Sequence, residues 1–290
     1  MPKPVRNIGA SVRARLLNLA KQQNQQFQLL LTRFVLERLL YRLSLTMHRD
    51  RFVLKGAMLV TTWFANPHRP TRDIDFLGFG DPDPQTMLGA FREIFAVKVD
   101  DGVEFDVVAL RVDQIREELE YGGLRIKTIA TVGGARVTVV IDIGFGDAIE
   151  PGLEEVEIPV LLDHPAPRLR AYARETVIAE KFQAMVMLGR ANSRMKDYYD
   201  IWILSRTQEF TGNRLARAIA ATFARRQTDI PTEPPDALTG AFASDPAKLR
   251  QWAAFANDIG MPPSSLADVI DDLVSFLMPR AAEARMIKPL

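Results

Sequence analysis

From about position 11 to 44, apolar residues recur at three- and four-residue steps: Leu16 and Leu19, then Phe27, Leu30, Leu31, Phe34 and Leu39. That spacing predicts helix with one apolar stripe, capped by Ser11 and broken in two by the glutamines of 22–26. The arginines of this stretch (Arg13, Arg15, Arg33, Arg38, Arg42) read as the solvated face. Next, apolar Phe52-Val53-Leu54 runs into Lys55-Gly56-Ala57 and then Met58-Leu59-Val60, a strand, a glycine and a helix start. A turn is expected at Asn66-Pro67, then an acidic strand closed by Asp81-Pro82-Asp83-Pro84, then a helix over 85–95. Strands are expected over 103–110, 124–132 and 136–143, the last two joined by a hairpin at Gly133-Gly134. Pro159 to Pro167 reads as a connector. Helices follow over 175–189 (stopped by Gly189), 196–204, 214–226, 246–259 and 264–278, with a proline-rich loop over 228–235. Helices, a mixed block and helices again imply an α/β (α+β) protein: a mixed sheet with flanking helices over 1–158 and a C-terminal helical domain over 159–290.

Composition narrows the chemistry. The 290 residues are 47% hydrophobic and 25% charged, with a net charge of +1. No global field draws such a chain to nucleic acid or to a membrane, so any such binding is local. The absence of cysteine excludes disulfides, thiolate metal sites and cysteine nucleophiles, and fits a reducing cytoplasm. Three histidines (His48, His68, His164) make a multi-histidine zinc site improbable. The N-terminus lacks a signal-peptide core, and no apolar run approaches the roughly 20 residues of a membrane span.

The chemistry-bearing residues are acidic. In Arg69-Pro70-Thr71-Arg72-Asp73-Ile74-Asp75-Phe76-Leu77-Gly78 two carboxylates stand two apart beside apolar neighbours. On a strand they share one face, and like charges held that close call for a cation between them. Mg²⁺, which takes carboxylate oxygens and substrate phosphates, is the natural one. Asp142 interrupts the β-branched run Val139-Val140-Ile141-Asp142-Ile143. A carboxylate there needs a metal or an arginine, and the sequence leaves both open. Three carboxylates on neighbouring strands would suit two ions about 3.5–4 Å apart. A helix opening at Gly56 would offer backbone N–H groups to a phosphate. Lys181 could balance phosphate charge or be a solvated helix lysine.

These residues resemble the polymerase-β-type nucleotidyltransferase core and, more specifically, the AbiEii/AbiGii abortive-infection toxin family. The resemblance is carried, in order, by Arg49–Gly56, Arg69–Phe76, Ile141–Asp147, Glu175–Lys181 and Asn192–Asp200. It implies a polymerase-β-like fold and an EC 2.7.7-type enzyme. It makes Asp73 and Asp75 metal ligands, with Asp142 the third carboxylate of the wider fold. Thr71 matches a Ser/Thr kept at the active site. Lys181 would contact nucleotide phosphates, and Asp200, or else Asp197, would be the acidic residue of the final motif. The nucleotide-binding set would then be Lys55, Gly56, Ala57, Thr71, Lys181, Lys196 and Asp197. Ala57 stands where such enzymes usually carry Ser or Gly, which implies weakened nucleotide binding. The resemblance further implies a toxin that uses Mg²⁺ to move nucleotides from an NTP to an RNA, the 3′ end of tRNA, and so blocks translation. Its partner would be an antitoxin, a DNA-binding regulator encoded nearby, with or without a stable complex. Arg190, Arg194, Lys196 and the N-terminal arginines are the candidate RNA contacts. Two other readings stay open: NMP transfer to a protein side chain, and a non-enzymatic nucleotide-binding module.

Overall fold

The computed structural model describes residues 7–64, 71–115, 122–257, 259 and 265–287. The expected turn at Asn66-Pro67, Arg69 and Pro70 of the acidic stretch, His68, the first six residues and the expected helix start at Ser264 lie outside the described residues. The chain divides into two compact units, 1–146 with 155–171, and 147–154 with 172–290.

The first unit opens with α1 (Ile8–Gln22) and α2 (Phe27–Ser44), separated at the glutamine-rich stretch as the pattern implies. The cap of α1 is Asn7, whose side chain accepts from Ala10 N–H, and not Ser11. Then come β1 (Phe52–Lys55), the short helix α3 (Gly56–Val60), β2 (Ile74–Gly78) and α4 (Pro84–Ala96). Asp83 caps α4 and Pro84 occupies its first turn, where a missing N–H costs nothing. The strands β3 (Val103–Phe105), β4 (Arg111–Ile115), β5 (Gly123–Val132), β6 (Ala135–Phe145), β7 (Leu153–Glu157) and β8 (Arg168–Tyr172) follow. Among the described residues they form one mixed sheet in the order β3-β5-β6-β2-β1-β8-β7, with β4 also on β5. The hairpin turns at Gly133-Gly134, both at positive φ.

Alternation decides the two faces. Leu54, Phe76, Ile143 and Leu124 are register partners and all buried. Phe52, Phe76, Phe91, Phe95 and Phe105 continue this face in a chain of ring contacts 4.8–5.9 Å apart, which seats α4 on the sheet. The row one residue along turns its side chains to the opposite face and is charged: Lys55, Asp75, Asp142, Arg125, Asp113.

Helix α2 departs from the expected solvated face. Arg38 and Arg42 are buried, and Asp101 explains why: Arg38 Nε donates to it at 3.1 Å, and Arg42 donates two bonds of 2.6 and 3.0 Å. Neither arginine can therefore be an RNA contact. Glu37, also buried, accepts from Arg33 Nε (2.8 Å) and Leu161 N–H (3.0 Å), tying the 159–167 connector to α2. Burial pushes the Glu37 carboxyl up to about 7 from an ordinary 4.5, against the opposing pull of Arg33, the Leu161 N–H and Arg38. A raised folded-state value favours the folded chain fully below pH 4.5, and the advantage fades as pH rises through about 7. Stability measured by urea unfolding should thus fall by about 3 kcal/mol from this group between pH 4 and 8. Glu37→Gln should flatten that part of the profile; a slope equal to wild type would refute the assignment.

The second unit is helical: α5 (Arg174–Leu188), α6 (Met195–Thr207), α7 (Arg214–Arg225), α8 (Gly240–Ala243), α9 (Pro246–Ala256) and α10 (Leu266–Arg285). Gly189, at φ +48°, ends α5 as expected. Inside it Arg226 donates to Asp147 and Gln183, each at 3.0 Å, and lies 3.2 Å from Glu180, while Tyr172 Oη donates to Glu180 at 3.2 Å. Burial, then the Glu180 and Asp147 charges, hold the Tyr172 phenol neutral.

Candidate active site

The site begins at a glycine. Gly56 follows β1 with φ +67°, a conformation that strains any residue with a Cβ. Its neighbour explains the rest: a Cβ built there would overlap the Asp75 carboxylate, 2.5 Å from Cγ and 2.7 Å from Asp75 Cβ. The acidic side chain therefore lies directly over bare backbone at the start of α3. Gly56→Ala should cost about 1–2 kcal/mol from the backbone alone and also displace Asp75. A melt and a transfer assay on the same sample would register both, and wild-type behaviour in either would contradict the crowding.

Asp73 immediately precedes β2 and Asp75 lies within it; both are part-exposed. Thr71, buried just upstream, donates its hydroxyl to the Asp73 carbonyl at 3.1 Å and approaches Asp73 Oδ1 at 3.5 Å. It fixes the entry to the strand. Lys55 is the register partner of Asp75 on β1, and Asp142 its partner on β6. The structure thus brings Lys55, Gly56, Asp73, Asp75 and Asp142 to one part of the sheet, while Ala57 is buried in α3. Asp142 is engaged by Arg125, whose Nε and Nη2 donate to its two oxygens at 2.7 Å each. Those bonds hold the Arg125 guanidinium more firmly charged, with burial opposing and the charges of Asp142, Asp73 and Asp75 adding.

No group of three or more His, Asp or Glu side chains that could hold a metal ion occurs among the described residues. Two carboxylates on one strand face still fit Mg²⁺, which commonly takes one or two carboxylates and completes its octahedron with water and phosphate oxygens. The hard oxygen donors of Asp73 and Asp75 are of the right kind.

The second unit carries its own cluster. Lys181 of α5 is buried, its Nζ 2.5 Å from Asp197 Oδ1 and 3.0 Å from Asp200 Oδ2 on α6. It is therefore not a solvated helix lysine. Asp197 sits in the first turn of α6, where a carboxylate opposes the helix dipole. Arg194 Nε lies 2.6 Å from Asp197 Oδ2 but is not aligned to donate, so that contact is an ion pair alone. Arg190, Arg194 and Lys196 are exposed.

Arg125 was missed by sequence reasoning, although a signal for it exists. Asp142 lies eight residues after Gly134 and Arg125 eight before Gly133, so a tight hairpin there sets them opposite each other.

The sequence profile described as "Nucleotidyl transferase AbiEii toxin, Type IV TA system" matches residues 38–276. No curated protein is a match to this chain. Among solved structures, a proposed nucleotidyltransferase from H. pylori superposes with a TM-score of 0.52 at 14% identity, covering 91% of this chain and 100% of that one. JHP933 from Helicobacter pylori gives 0.52 at 15% identity, covering 90% and 95%. At such identities the likeness is one of fold, and it agrees with the expected mixed sheet and flanking helices.

Proposed function

The chain belongs to the AbiEii nucleotidyl transferase toxin family of type IV toxin–antitoxin systems, and from that premise we propose an Mg²⁺-dependent transfer of nucleotides from an NTP to RNA, at the 3′ end of tRNA. The observation that carries the reading is the Asp75 carboxylate lying over Gly56, with Asp73 one strand repeat earlier. A divalent ion held by Asp73 and Asp75 would supply Lewis acidity at the phosphates and make the acceptor hydroxyl a better nucleophile. The acceptor hydroxyl attacks the α-phosphorus and gives up its proton to solvent, a new P–O bond forms, the α–β bridge breaks and pyrophosphate leaves. Lys55 brings cationic charge to the carboxylate row, and the backbone at Gly56-Ala57 binds phosphate through its N–H groups. The family pattern gives Lys181 the phosphate contact and Asp200 the acidic role of the last motif, with Lys196 and Asp197 beside them. Exposed Arg190, Arg194 and Lys196 suit the phosphates of an RNA acceptor.

Blocked tRNA charging would stop translation, and the antitoxin, a DNA-binding regulator, would oppose it. The described helices include none long and apolar enough to cross a membrane; action in the cytoplasm is part of the proposal. The test is to incubate the purified chain with each labelled NTP, Mg²⁺, cellular RNA and lysate protein. Label in the tRNA band supports the proposal. Label in a protein band moves the acceptor to a side chain, and no label with nucleotide still bound reduces the chain to a binding module.

A further inference from the structure

Parallel pairing of β2 with β6 makes Asp75 and Asp142 direct neighbours, and the hairpin makes Arg125 the next in line. Like charges set opposite each other on a sheet repel. In this row each of the two is flanked on its outer side by a cation, Lys55 beside Asp75 and Arg125 beside Asp142. The row ends on Asp113, which accepts from Lys127 Nζ at 2.8 Å. Among the described residues of these strands, four carboxylates (Asp73, Asp75, Asp142, Asp113) thus stand among four cations (Lys55, Arg125, Lys127 and Arg111, the register partner of Lys127), so the charges balance. A face so nearly neutral has little hold on a bare divalent ion.

Arg125 does more than neutralise. A fork closing on both oxygens of a carboxylate fixes its plane as well as its place. Both Asp142 oxygens accept from Arg125 on β5 at 2.7 Å, so each already has one acceptor site engaged away from the metal. Resting on the reading that Asp73 and Asp75 hold a divalent ion, we propose that Arg125 is a positioning residue that withholds Asp142 from the metal, so that the ion is taken up with the nucleotide and not before it. Mg²⁺ sheds water reluctantly and is usually held by one or two carboxylates together with substrate phosphates. With Asp142 engaged, the phosphates must complete the set. With Arg125 gone, Asp142 becomes a third carboxylate ligand and the empty protein binds the ion by itself.

Calorimetry with Mn²⁺ on the full chain, with no nucleotide present, tests this. Wild type should bind weakly. Arg125→Gln should bind at least about tenfold tighter, because affinity for hard cations rises with the number of ligand charges. Adding Asp142→Asn to Arg125→Gln should return the affinity to that of wild type. Arg125→Lys, which keeps the charge and loses the fork, should fall between, and it carries the test if the glutamine variant fails to fold. Equal affinity in wild type and both Arg125 variants overturns the proposal. So does tight binding in wild type that Asp142→Asn removes. Transfer of labelled nucleotide tests the underlying reading separately: a chain that moves no label yet shows this order of affinities loses the enzymatic reading and keeps the Arg125 assignment.

Discussion

Asp75→Ala should leave a folded protein that transfers no nucleotide. The side chain is part-exposed and contributes no apolar packing, and its removal takes one of two like charges out of a shared register row. Stability should therefore stay within about 1 kcal/mol of wild type. The chemistry has no such reserve. Asp73 alone would then hold the ion beside Gly56, and the transition-state charge on the phosphates would lose its stabilisation, a loss of about 10³-fold or more. Asp73→Ala should behave the same way, with a further loosening at Thr71, whose hydroxyl approaches the Asp73 carboxylate. A thermal melt and a labelled-NTP assay on each variant decide the matter. Retained transfer in either one would remove the metal-ligand assignment.

Lys181→Ala should fail differently, by losing both structure and activity. Its ammonium is shared by Asp197 and Asp200, each only 1% exposed in the side chain. Taking away the cation leaves two nearby buried carboxylates, which costs about 3–5 kcal/mol for a broken buried pair. Arg194 at 2.6 Å softens the loss at Asp197, but it is half-exposed and does not reach the lysine's position. Urea unfolding should show the deficit. Combining Lys181→Met with Asp197→Asn and Asp200→Asn should recover much of the stability, since no charge is then stranded, while transfer stays absent. If Lys181→Ala unfolds at the wild-type denaturant concentration, the cluster does not carry this weight. If the triple variant transfers nucleotide, these residues have no role in the reaction.

The elements that position the carboxylates were legible because their signals are local. The Gly133-Gly134 turn, the alternation through Val137, Val139 and Ile141, and the stop at Gly189 all act within a few residues. Short strands escaped for the opposite reason. Among them, β4 reads Arg-Val-Asp-Gln-Ile and β8 reads Arg-Leu-Arg-Ala-Tyr, too short and too charged to show a period, and each is held by its neighbours in the sheet. The arginines of α2 misled because an exposed and a buried guanidinium look alike until the partner is known. Asp101 supplies that partner from some sixty positions away. The acidic pair was visible as a pair, but that Asp142 would be taken up by Arg125 depended on pairing across the hairpin.

The parallel pairing of β2 with β6 also bears on when the chain could become active. Residues 75 and 142 become neighbours only after everything between them has been synthesised and the later hairpin has closed against the earlier strand. Contacts so distant along the chain form late in folding, because the loop between them must be closed before pairing repays its entropy. A nascent or truncated chain that ends before β6 would carry Asp73 and Asp75 without the strand that aligns them. Through the first half of the chain's synthesis, up to the end of β6 at Phe145 of 290 residues, the aligned carboxylate row therefore does not exist.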